Sequence, residues 1–346
     1  MIAFKKQGHR VISLSQESGK DLHPLLQTYQ IETYTHVLPG KKNFWYFFRQ
    51  MVFFVRFCRK HQVEIVFSHL ESANYVAAVG QYLIPARVIL CRHHVDEASL
   101  YGFDKSLYYK LTYSLAKEII VVSERARHYM IDNEKVPSSK IILINLAYDF
   151  SLYTQPDPVM VSEIRKKYRQ AVLLLTVCRL TKYKRPDTSL RTIKLLHEKG
   201  IPASLVILGK GELKDILEAQ VRALNLTEHV HLLGHVDNVP DFMQACDYLI
   251  HPSLLESSCV VIKEAGLAKK PVIVCEGVGD FDAYIQNGVN GFLVPMQNFE
   301  INAAQVIGDT HNHPATLSKV GQQLHDDVHR LFDVSRLIDQ YADLIK

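Results

Sequence analysis

The chain has 346 residues, 47% of them hydrophobic, which is more than one ordinary domain needs and enough for two hydrophobic cores. Its formal net charge of +4 is too small to indicate a nucleic-acid-binding protein, so no nucleic acid is expected as a partner. The six cysteines form no CxxC pair, and no uncharged apolar stretch reaches about 18 residues. The composition therefore predicts a cytoplasmic protein with buried thiols and no membrane-spanning or secretory segment.

Short β-branched runs alternate with helical patterns along the whole chain, which is typical of parallel α/β architecture. The predicted strands of the first half are HRVISLS, EIVFSH, RVILCRHH, EIIVVS and KIILINL. Those of the second half are AVLLLTVCRL, ASLVILG, VHLLG, DYLIHPS, PVIVC and GFLV. Between the two sets, YTQPDPVM has two prolines and no periodicity, which places the predicted domain boundary near residue 155.

The beginning of the chain differs from that of a doubly wound domain, which normally opens with a strand and a tight glycine-rich turn. MIAFKKQGHRVISLS is instead typical of the end of a helix that leads into a strand. We therefore expect the first domain to lack its first strand and glycine-rich loop.

A basic aromatic segment, KKNFWYFFRQMVFFVRFCRKH, occupies residues 41–61 and contains six Lys or Arg, no acid, and the only tryptophan, Trp45. A basic amphipathic helix of this kind can lie on an anionic membrane, with its cations toward the headgroups and its aromatic rings inserted. A core-facing helix with basic ends explains the same pattern equally well.

The segment HPSLLESSCVVIKEAGLAKKPVI, residues 251–273, places Glu256 and Glu264 eight positions apart within an otherwise apolar run. DYLIHPS predicts a buried strand, and a helix is expected to begin near Cys259, capped by Ser257 or Ser258. Because such a helix starts at the carboxyl end of a strand, its free N–H groups suit a phosphate. Glu256 ahead of the helix and Glu264, expected about two turns inside it, are suited to accept hydrogen bonds from hydroxyl groups.

Two cations follow another predicted strand, in VCRLTKYKRPD. Arg179 leaves this strand and Lys184 follows five residues later, just before a predicted helix. Arg and Lys at such a position can neutralise a diphosphate leaving group without a metal ion, and no pair of acids beside a strand indicates a metal site. A phosphate with hydroxyl groups on both sides describes a nucleotide-sugar.

The second half of the chain resembles the C-terminal domain of retaining glycosyltransferases of family four. The resemblance rests on the order of VCRLTKYKRPD, LVILGKGELKDILEAQ, the stretch from VHLLGHV to AKKPVI, and NGVNGFLV, with its R-x4-K and E-x7-E elements. GHRV, RHH, EIIVVS and VPSSKIILI resemble elements of the family's first domain. The resemblance implies the GT-B fold, in which two Rossmann-like domains face a cleft. It further implies an N-terminal acceptor-side domain (1–155), a donor-binding domain (156–325) and a C-terminal helix (326–346) that crosses back to the first domain.

The resemblance also implies roles for individual residues. Arg179 and Lys184 would contact the donor diphosphate, Glu264 the ribose hydroxyls and Glu256 the hydroxyls of the transferred sugar. Catalysis would then involve Arg179, Lys184, Glu256 and either His93 or His94, one of which would face the sugar. The remaining donor-binding positions would be Gly234 and His235 beside the nucleobase, and Ser258, Cys259 and Val260 beside the sugar and phosphate.

The activity implied by the resemblance is transfer of a sugar from a UDP-sugar or GDP-sugar to a glycan or lipid-linked acceptor, with retention and without a metal ion or other cofactor. The helix at 41–61 would bring the enzyme to the inner face of the membrane. Two alternatives remain open from the sequence. One is a truncated or degenerate GT-B protein that binds a nucleotide-sugar or a partner without transfer; the other is a nucleotide-sugar epimerase of the same fold.

Overall fold

The computed structural model describes residues 1–16, 22–40, 43–93, 106–168, 170–256 and 258–345. The chain divides into two compact units. Unit 1 contains Met1–Val122, Arg127–Ile144 and Ile338–Lys346, and unit 2 contains Ser123–Ala126 and Asn145–Leu337. Each unit is built on parallel β-sheet with helical crossovers, which confirms the predicted α/β class.

The described residues of the first half form six strands and six α-helices. The strands are β1 (Ile12–Ser15), β2 (Glu32–Thr35), β3 (Ile65–His69), β4 (Arg87–Arg92), β5 (Glu118–Val121) and β6 (Ile141–Leu143). The helices are α1 (Ile2–Lys6), α2 (Leu22–Thr28), α3 (Phe44–Lys60), α4 (Glu71–Gly80), α5 (Ser106–Leu115) and α6 (Glu124–Asp132). All strand pairs are parallel, as the alternation of strands and helices requires.

The sheet of unit 1 is split into two pieces, in the orders β1-β2 and β3-β4-β5-β6. Among the described residues, β1 pairs only with β2 and β3 only with β4. In a doubly wound sheet the first strand lies between the second and the fourth, so a chain without that strand leaves a break at this place. The short helix α1 packs nearby, where Phe4 stacks on Phe67 of β3 with ring centroids 6.1 Å apart. The described residues of unit 1 therefore contain no strand that joins β1 to β3, in line with the expectation for this part of the sheet.

The second half contains one six-stranded parallel sheet in the order β12-β11-β10-β7-β8-β9. Its strands are β7 (Val172–Val177), β8 (Ala203–Leu208), β9 (Val230–Gly234), β10 (Tyr248–His251), β11 (Val272–Cys275) and β12 (Phe292–Val294). Its helices are α7 (Pro158–Lys167), α8 (Pro186–Glu198), α9 (Lys214–Ala223), α10 (Val239–Ala245), α11 (Val260–Leu267), α12 (Phe281–Tyr284), α13 (Phe299–Thr310), α14 (Pro314–Phe332) and α15 (Val334–Ile345).

The core of unit 2 lies on both faces of this sheet. Strands β8, β10 and β11 are buried at every position, because parallel strands are covered by helices on both sides. Proline at the first position starts several helices; α7, for example, begins at Pro158 after Asp157, whose carboxylate accepts the Val159 N–H at 2.8 Å. The resulting frame fixes the carboxyl ends of β7 and β10 side by side.

The division between the units falls at Asn145, earlier than the prolines that suggested residue 155. Tyr148 explains the difference, because it forms a β-bridge with Asp333 of unit 2 and stacks on Phe150. At the other end of the chain, Tyr341 and Leu344 of α15 pack on the core of unit 1, and Arg87 donates a hydrogen bond to the Leu344 carbonyl. No helix in the described part of the chain is long and apolar enough to cross a membrane.

Candidate active site

Most of the predicted site residues of unit 2 follow β7 or β10, two neighbouring strands at the point where the strand order reverses. Strands β7, β8 and β9 run outward to one side, and β10, β11 and β12 to the other. Ligands of open α/β sheets bind in the crevice at this switch point, outside the carboxyl ends of the strands. Arg179 and Lys184 follow β7, and Glu256 follows β10, so both groups lie at this crevice.

The two cations differ in their surroundings. Arg179 is exposed and has no side-chain partner among the described residues. Lys184 is half-buried, and its ammonium binds the carboxylate of Glu256 directly. Burial alone would lower the pKa of Lys184, but the charge of Glu256 raises it above its usual value, so the ammonium is charged at neutral pH.

Glu256 is held by two side chains that meet on one oxygen. Its Oε1 accepts hydrogen bonds from Lys184 Nζ and from His251 Nε2, the latter at 2.6 Å. Burial alone would raise the pKa of Glu256, but the His251 hydrogen bond and the Lys184 charge lower it to about 2. Glu256 is therefore a carboxylate at neutral pH, and it accepts hydrogen bonds from both partners and donates none.

His251, the last residue of β10, is the site residue that sequence reasoning missed. Its ring is buried, and the Cys259 sulfur lies 3.6 Å from its Nε2. Burial opposes protonation of the ring, but Cys259 and Glu256 outweigh it and raise the pKa of His251 to about 9. The signal was present in DYLIHPS, where a histidine replaces an apolar residue at the end of an otherwise apolar strand.

Helix α11 begins next to Glu256, as predicted, but with a different cap. Its N-cap residue is Cys259, which makes no side-chain capping bond, and the buried hydroxyl of Ser258 does not cap the helix. The predicted serine cap is therefore wrong for Ser258, and Ser257 lies outside the described residues. Val260 opens the helix and is 43% exposed, and the N–H groups of a first helical turn have no partner within the helix.

Glu264 lies little more than one turn inside α11, rather than the two turns expected. Its carboxylate has no hydrogen-bond or ion-pair partner among the described residues, and burial raises its pKa. Its charge also contributes to raising the pKa values of the nearby Tyr148 and Tyr153, although burial is the main cause for both. An unpaired, half-buried carboxylate is costly unless a ligand supplies hydrogen bonds to it.

A glycine turn supports Glu256 from the other side. Gly279 has φ +60°, and a Cβ atom placed there would lie 2.8 Å from the Cβ atom of Glu256. The turn is anchored by a buried ion pair, in which Lys263 Nζ of α11 lies 2.9 Å from Asp280 Oδ2. The close approach explains why this position is a glycine.

Gly234 and His235, predicted to lie beside a nucleobase, end strand β9 at the same edge of the sheet. Gly234 has φ +74°, and its carbonyl accepts the N–H of Gly209 at 2.7 Å. His235 is exposed, with its ring 3.5 Å from Asp237 Oδ1. Both residues therefore lie at the carboxyl edge, on the β9 side of the switch point.

The predicted histidine of the first domain belongs to unit 1. His93 follows β4 and lies 2.9 Å from the ring of His69, which ends the neighbouring strand β3. Burial, followed by the charges of His93 and the N-terminus, lowers the pKa of His69 to about 4, so His69 is neutral near pH 7. Sequence reasoning missed His69, although EIVFSH and RVILCRHH both end in histidine. His94 lies outside the described residues.

One group of side chains in the described part of the chain has the chemistry of a metal site. His251, Glu256 and Cys259 each bring a ligand atom within 4.8 Å of the others. The Lys184 ammonium already binds Glu256, and its positive charge opposes a divalent cation at the same carboxylate.

Two family sequence models match the chain, one over each half. The model described as Glycosyltransferase Family 4 matches residues 2–152, and the model described as Glycosyl transferases group 1 matches residues 161–309. The chain belongs to the glycosyltransferases of family four.

Similar proteins share this assignment. The capsular polysaccharide biosynthesis glycosyltransferase CapM of Staphylococcus aureus is 22% identical over 88% of this chain and 82% of its own. An Escherichia coli UDP-Gal:alpha-D-GlcNAc-diphosphoundecaprenol alpha-1,3-galactosyltransferase is 23% identical over 86% of this chain and 78% of its own. Among solved structures, Anabaena HepE in complex with UDP has a TM-score of 0.83 at 18% identity, covering 97% of this chain and 99% of that one. HepE has also been solved with UDP-glucose. The fold is therefore GT-B, with two Rossmann-like domains.

Proposed function

We propose that this glycosyltransferase moves a sugar from a nucleotide-diphosphate-sugar to a glycan or lipid-linked acceptor, with retention and without a metal ion. The observation that carries the proposal is the switch point of unit 2. Two cations follow β7, one of which binds Glu256 after β10, and Glu256 lies before α11 and Glu264 within it. This arrangement matches a diphosphate flanked by hydroxyl groups on both sides.

Each group has a role that its surroundings support. Arg179, exposed and unpaired among the described residues, and Lys184 bind the diphosphate. Glu264 accepts hydrogen bonds from the ribose hydroxyls, since its carboxylate otherwise lacks partners. Glu256 accepts from the transferred sugar, and Gly234 and His235 pack beside the base.

The chemical step breaks the bond between the anomeric carbon and the diphosphate oxygen, and the electron pair leaves with the diphosphate. Arg179 and Lys184 stabilise the charge that develops on the leaving group. The acceptor hydroxyl attacks from the same face, and its proton passes to the departing phosphate oxygen. Configuration is then retained without an enzyme nucleophile, and His93 or His94 supports the sugar.

Relatives suggest the donor and acceptor classes. HepE has been solved with UDP and with UDP-glucose, and the E. coli relative is named for a UDP-galactose donor and a diphosphoundecaprenol acceptor. A UDP-sugar is accordingly the first donor to test, followed by a GDP-sugar, and a lipid-linked glycan is the first acceptor.

The experiment is a thermal-shift panel of UDP-, GDP- and ADP-sugars in EDTA, followed by nucleotide release with lipid-linked acceptors. A bound donor raises the melting temperature by mass action. Arg179→Ala should weaken the shift and reduce turnover at least a hundredfold, whereas Arg222→Ala, an exposed arginine on α9, should change neither. A wild-type protein that no donor stabilises would contradict the site assignment, and activity that EDTA abolishes would contradict metal independence.

Binding without transfer is the second candidate, because unit 1 has a split sheet where a doubly wound domain has its first strand. Donor stabilisation without any nucleotide release, in the presence of acceptor lipids, would favour this candidate.

We further propose that the protein works in the cytoplasm at the inner face of the membrane, bound through α3. Phe44, Trp45 and Phe48 are 73%, 67% and 44% exposed at the start of this helix. Arg49 and Arg56 continue the same exposed face toward its end. Aromatic rings beside arginines fit an anionic lipid surface, while the opposite face of α3 packs on the core of unit 1.

A further inference from the structure

Both partners of Glu256 bind the same carboxylate oxygen, Oε1. The other oxygen, Oε2, accepts no hydrogen bond from the residues that the structure describes. The carboxylate is therefore fixed through Oε1, and Oε2 keeps its capacity to accept a hydrogen bond. A ligand hydroxyl can bind Oε2 without displacing either partner.

Donor binding affects the two partners of Glu256, Lys184 and His251, in different ways. Under the proposed function, Lys184 must bind the donor diphosphate, which competes with Glu256 for the same ammonium. Its long side chain has four rotatable bonds and can swing between the two anions. A Glu256 held by Lys184 alone would then lose its orientation when the donor arrives.

His251 cannot leave Glu256 in the same way. It is part of β10, its side chain is 2% exposed, and the ring of Phe281 lies edge-on at 6.2 Å. Its Nδ1 atom is buried without a partner among the described residues, so the hydrogen bonds of the ring are made by Nε2. The ring is therefore a fixed donor that points at Oε1.

We propose that His251 is a positioning residue, which holds Oε1 of Glu256 so that Oε2 meets the transferred sugar while Lys184 turns to the diphosphate. The inference rests on the proposed function, because it requires a nucleotide-sugar in the crevice. It predicts that His251 contributes to the affinity for the nucleotide-sugar and not to the affinity for the nucleotide diphosphate alone. A merely structural histidine would affect both ligands alike.

The test compares His251→Gln with His251→Asn. The side-chain amide nitrogen of Gln lies near the position of His Nε2 and can still donate to Oε1, whereas that of Asn lies near Nδ1 and cannot reach it. Affinities for UDP and UDP-glucose, or for the nucleotide pair that the donor panel selects, are measured by calorimetry. His197→Gln is the matched control, since its Nε2 lies 2.8 Å from the Ala203 carbonyl at the start of β8, away from the carboxyl edge.

We expect His251→Asn to weaken nucleotide-sugar binding about tenfold and to leave UDP binding within about twofold. We expect His251→Gln to recover most of the loss and His197→Gln to match wild type. Equal weakening of both ligands by His251→Asn, or no weakening of either, would overturn the inference while leaving the proposed function intact. A wild-type protein that binds neither UDP nor any nucleotide-sugar would remove the proposed function itself.

Discussion

At the scale of single residues, the two carboxylates of the E-x7-E element are in opposite states. Glu256 is paired with Lys184 and His251, and its pKa is lowered to about 2, whereas Glu264 has no partner among the described residues and its pKa is raised by burial. Paired and unpaired acids have opposite effects on folding, so the two residues should respond differently to substitution.

Glu264→Gln should weaken donor binding at least tenfold and should not destabilise the free protein. A carboxylate whose pKa is raised by burial opposes folding at neutral pH, so a neutral amide should leave the melting temperature equal or slightly higher. The melting temperature with and without nucleotide-sugar measures both effects. Glu218→Gln on the exposed face of α9 is the control. A large fall in stability without ligand would show that Glu264 has a structural role.

The His251–Glu256 pair predicts how stability depends on pH. The raised pKa of His251, about 9, gives stability that is complete below about pH 6.5 and lost as pH rises through 9. The lowered pKa of Glu256, about 2, gives stability that is complete above about pH 4.5 and lost as pH falls toward 2. The titratable groups that face the ring are Lys184, Glu256 and Cys259.

Chemical denaturation of wild type and His251→Gln at several pH values measures this contribution. We expect the stability difference, about 1–3 kcal/mol near pH 6, to shrink between pH 6.5 and 9. A difference that grows with pH would mean that the ring is neutral in the folded protein.

The sequence predicted candidate site residues from the spacing of their charged groups and missed those that are defined by a neighbouring side chain. Arg179, Lys184, Glu256 and Glu264 were predicted, and their placement at the switch point agrees with that prediction, although their roles stay proposals. His251 was not predicted, because a lone histidine at a strand end has no meaning until its partner is known. His69 was missed for the same reason, since its contact with His93 depends on which strands pair.

At the scale of elements, the turn after β11 shows how a backbone conformation sets the position of a side chain. Gly279 approaches Glu256 closely and has φ +60°. Gly288 also has a positive φ, +75°, but no atom lies within 4 Å of a Cβ placed there. Substitutions at these two glycines therefore distinguish the effect of backbone strain from the effect of displacing Glu256.

Gly279→Ala and Gly288→Ala should each cost about 1–2 kcal/mol of stability from the left-handed backbone conformation. Only Gly279→Ala should also weaken nucleotide-sugar binding, because its methyl group pushes Glu256 out of place. Denaturation curves and donor affinities measure the two quantities. Equal donor affinities for the two variants would contradict this account of the turn.

Helix α3 makes a prediction about membranes. Trp45→Ser with Arg49→Glu and Arg56→Glu should reduce binding to phosphatidylglycerol vesicles more than tenfold, since each cation near an anionic surface contributes about 1 kcal/mol. Ile216→Ser with Arg222→Glu on α9 is the matched control, and vesicle flotation is the measurement. Binding that does not depend on anionic lipid would contradict the proposal.

Eleven of the strand predictions coincide with β1 and with β3 through β12, and β2 was missed. The residues of β2, ETYT, are half-buried or exposed, so no apolar run marks them. Their strand conformation comes from parallel pairing with β1, with Glu32 opposite Ile12. Periodicity detects strands by burial and fails where an edge strand is only partly buried.

At the scale of the whole molecule, we expect unit 2 alone to bind the nucleotide part of the donor. Hydrogen exchange with UDP should therefore show protection at residues 178–184 and 254–264, because the ligand covers the carboxyl ends of β7 and β10. Arg179→Ala should reduce this protection and Arg222→Ala should not. Protection confined to the strands of unit 1 would place the nucleotide elsewhere.

The sequence by itself determined the parallel α/β class and the order of R-x4-K and E-x7-E, because periodicity and motif spacing are local properties of the chain. Tertiary structure decided where the units divide, since Tyr148 joins unit 2 through Asp333 before the prolines that seemed to mark the boundary. It also decided that Lys184 and His251 share one oxygen of Glu256. Lys184 is distant in sequence from His251 and Glu256, and those two residues are separated by a turn. Only the pairing of β7 with β10 brings the three side chains together.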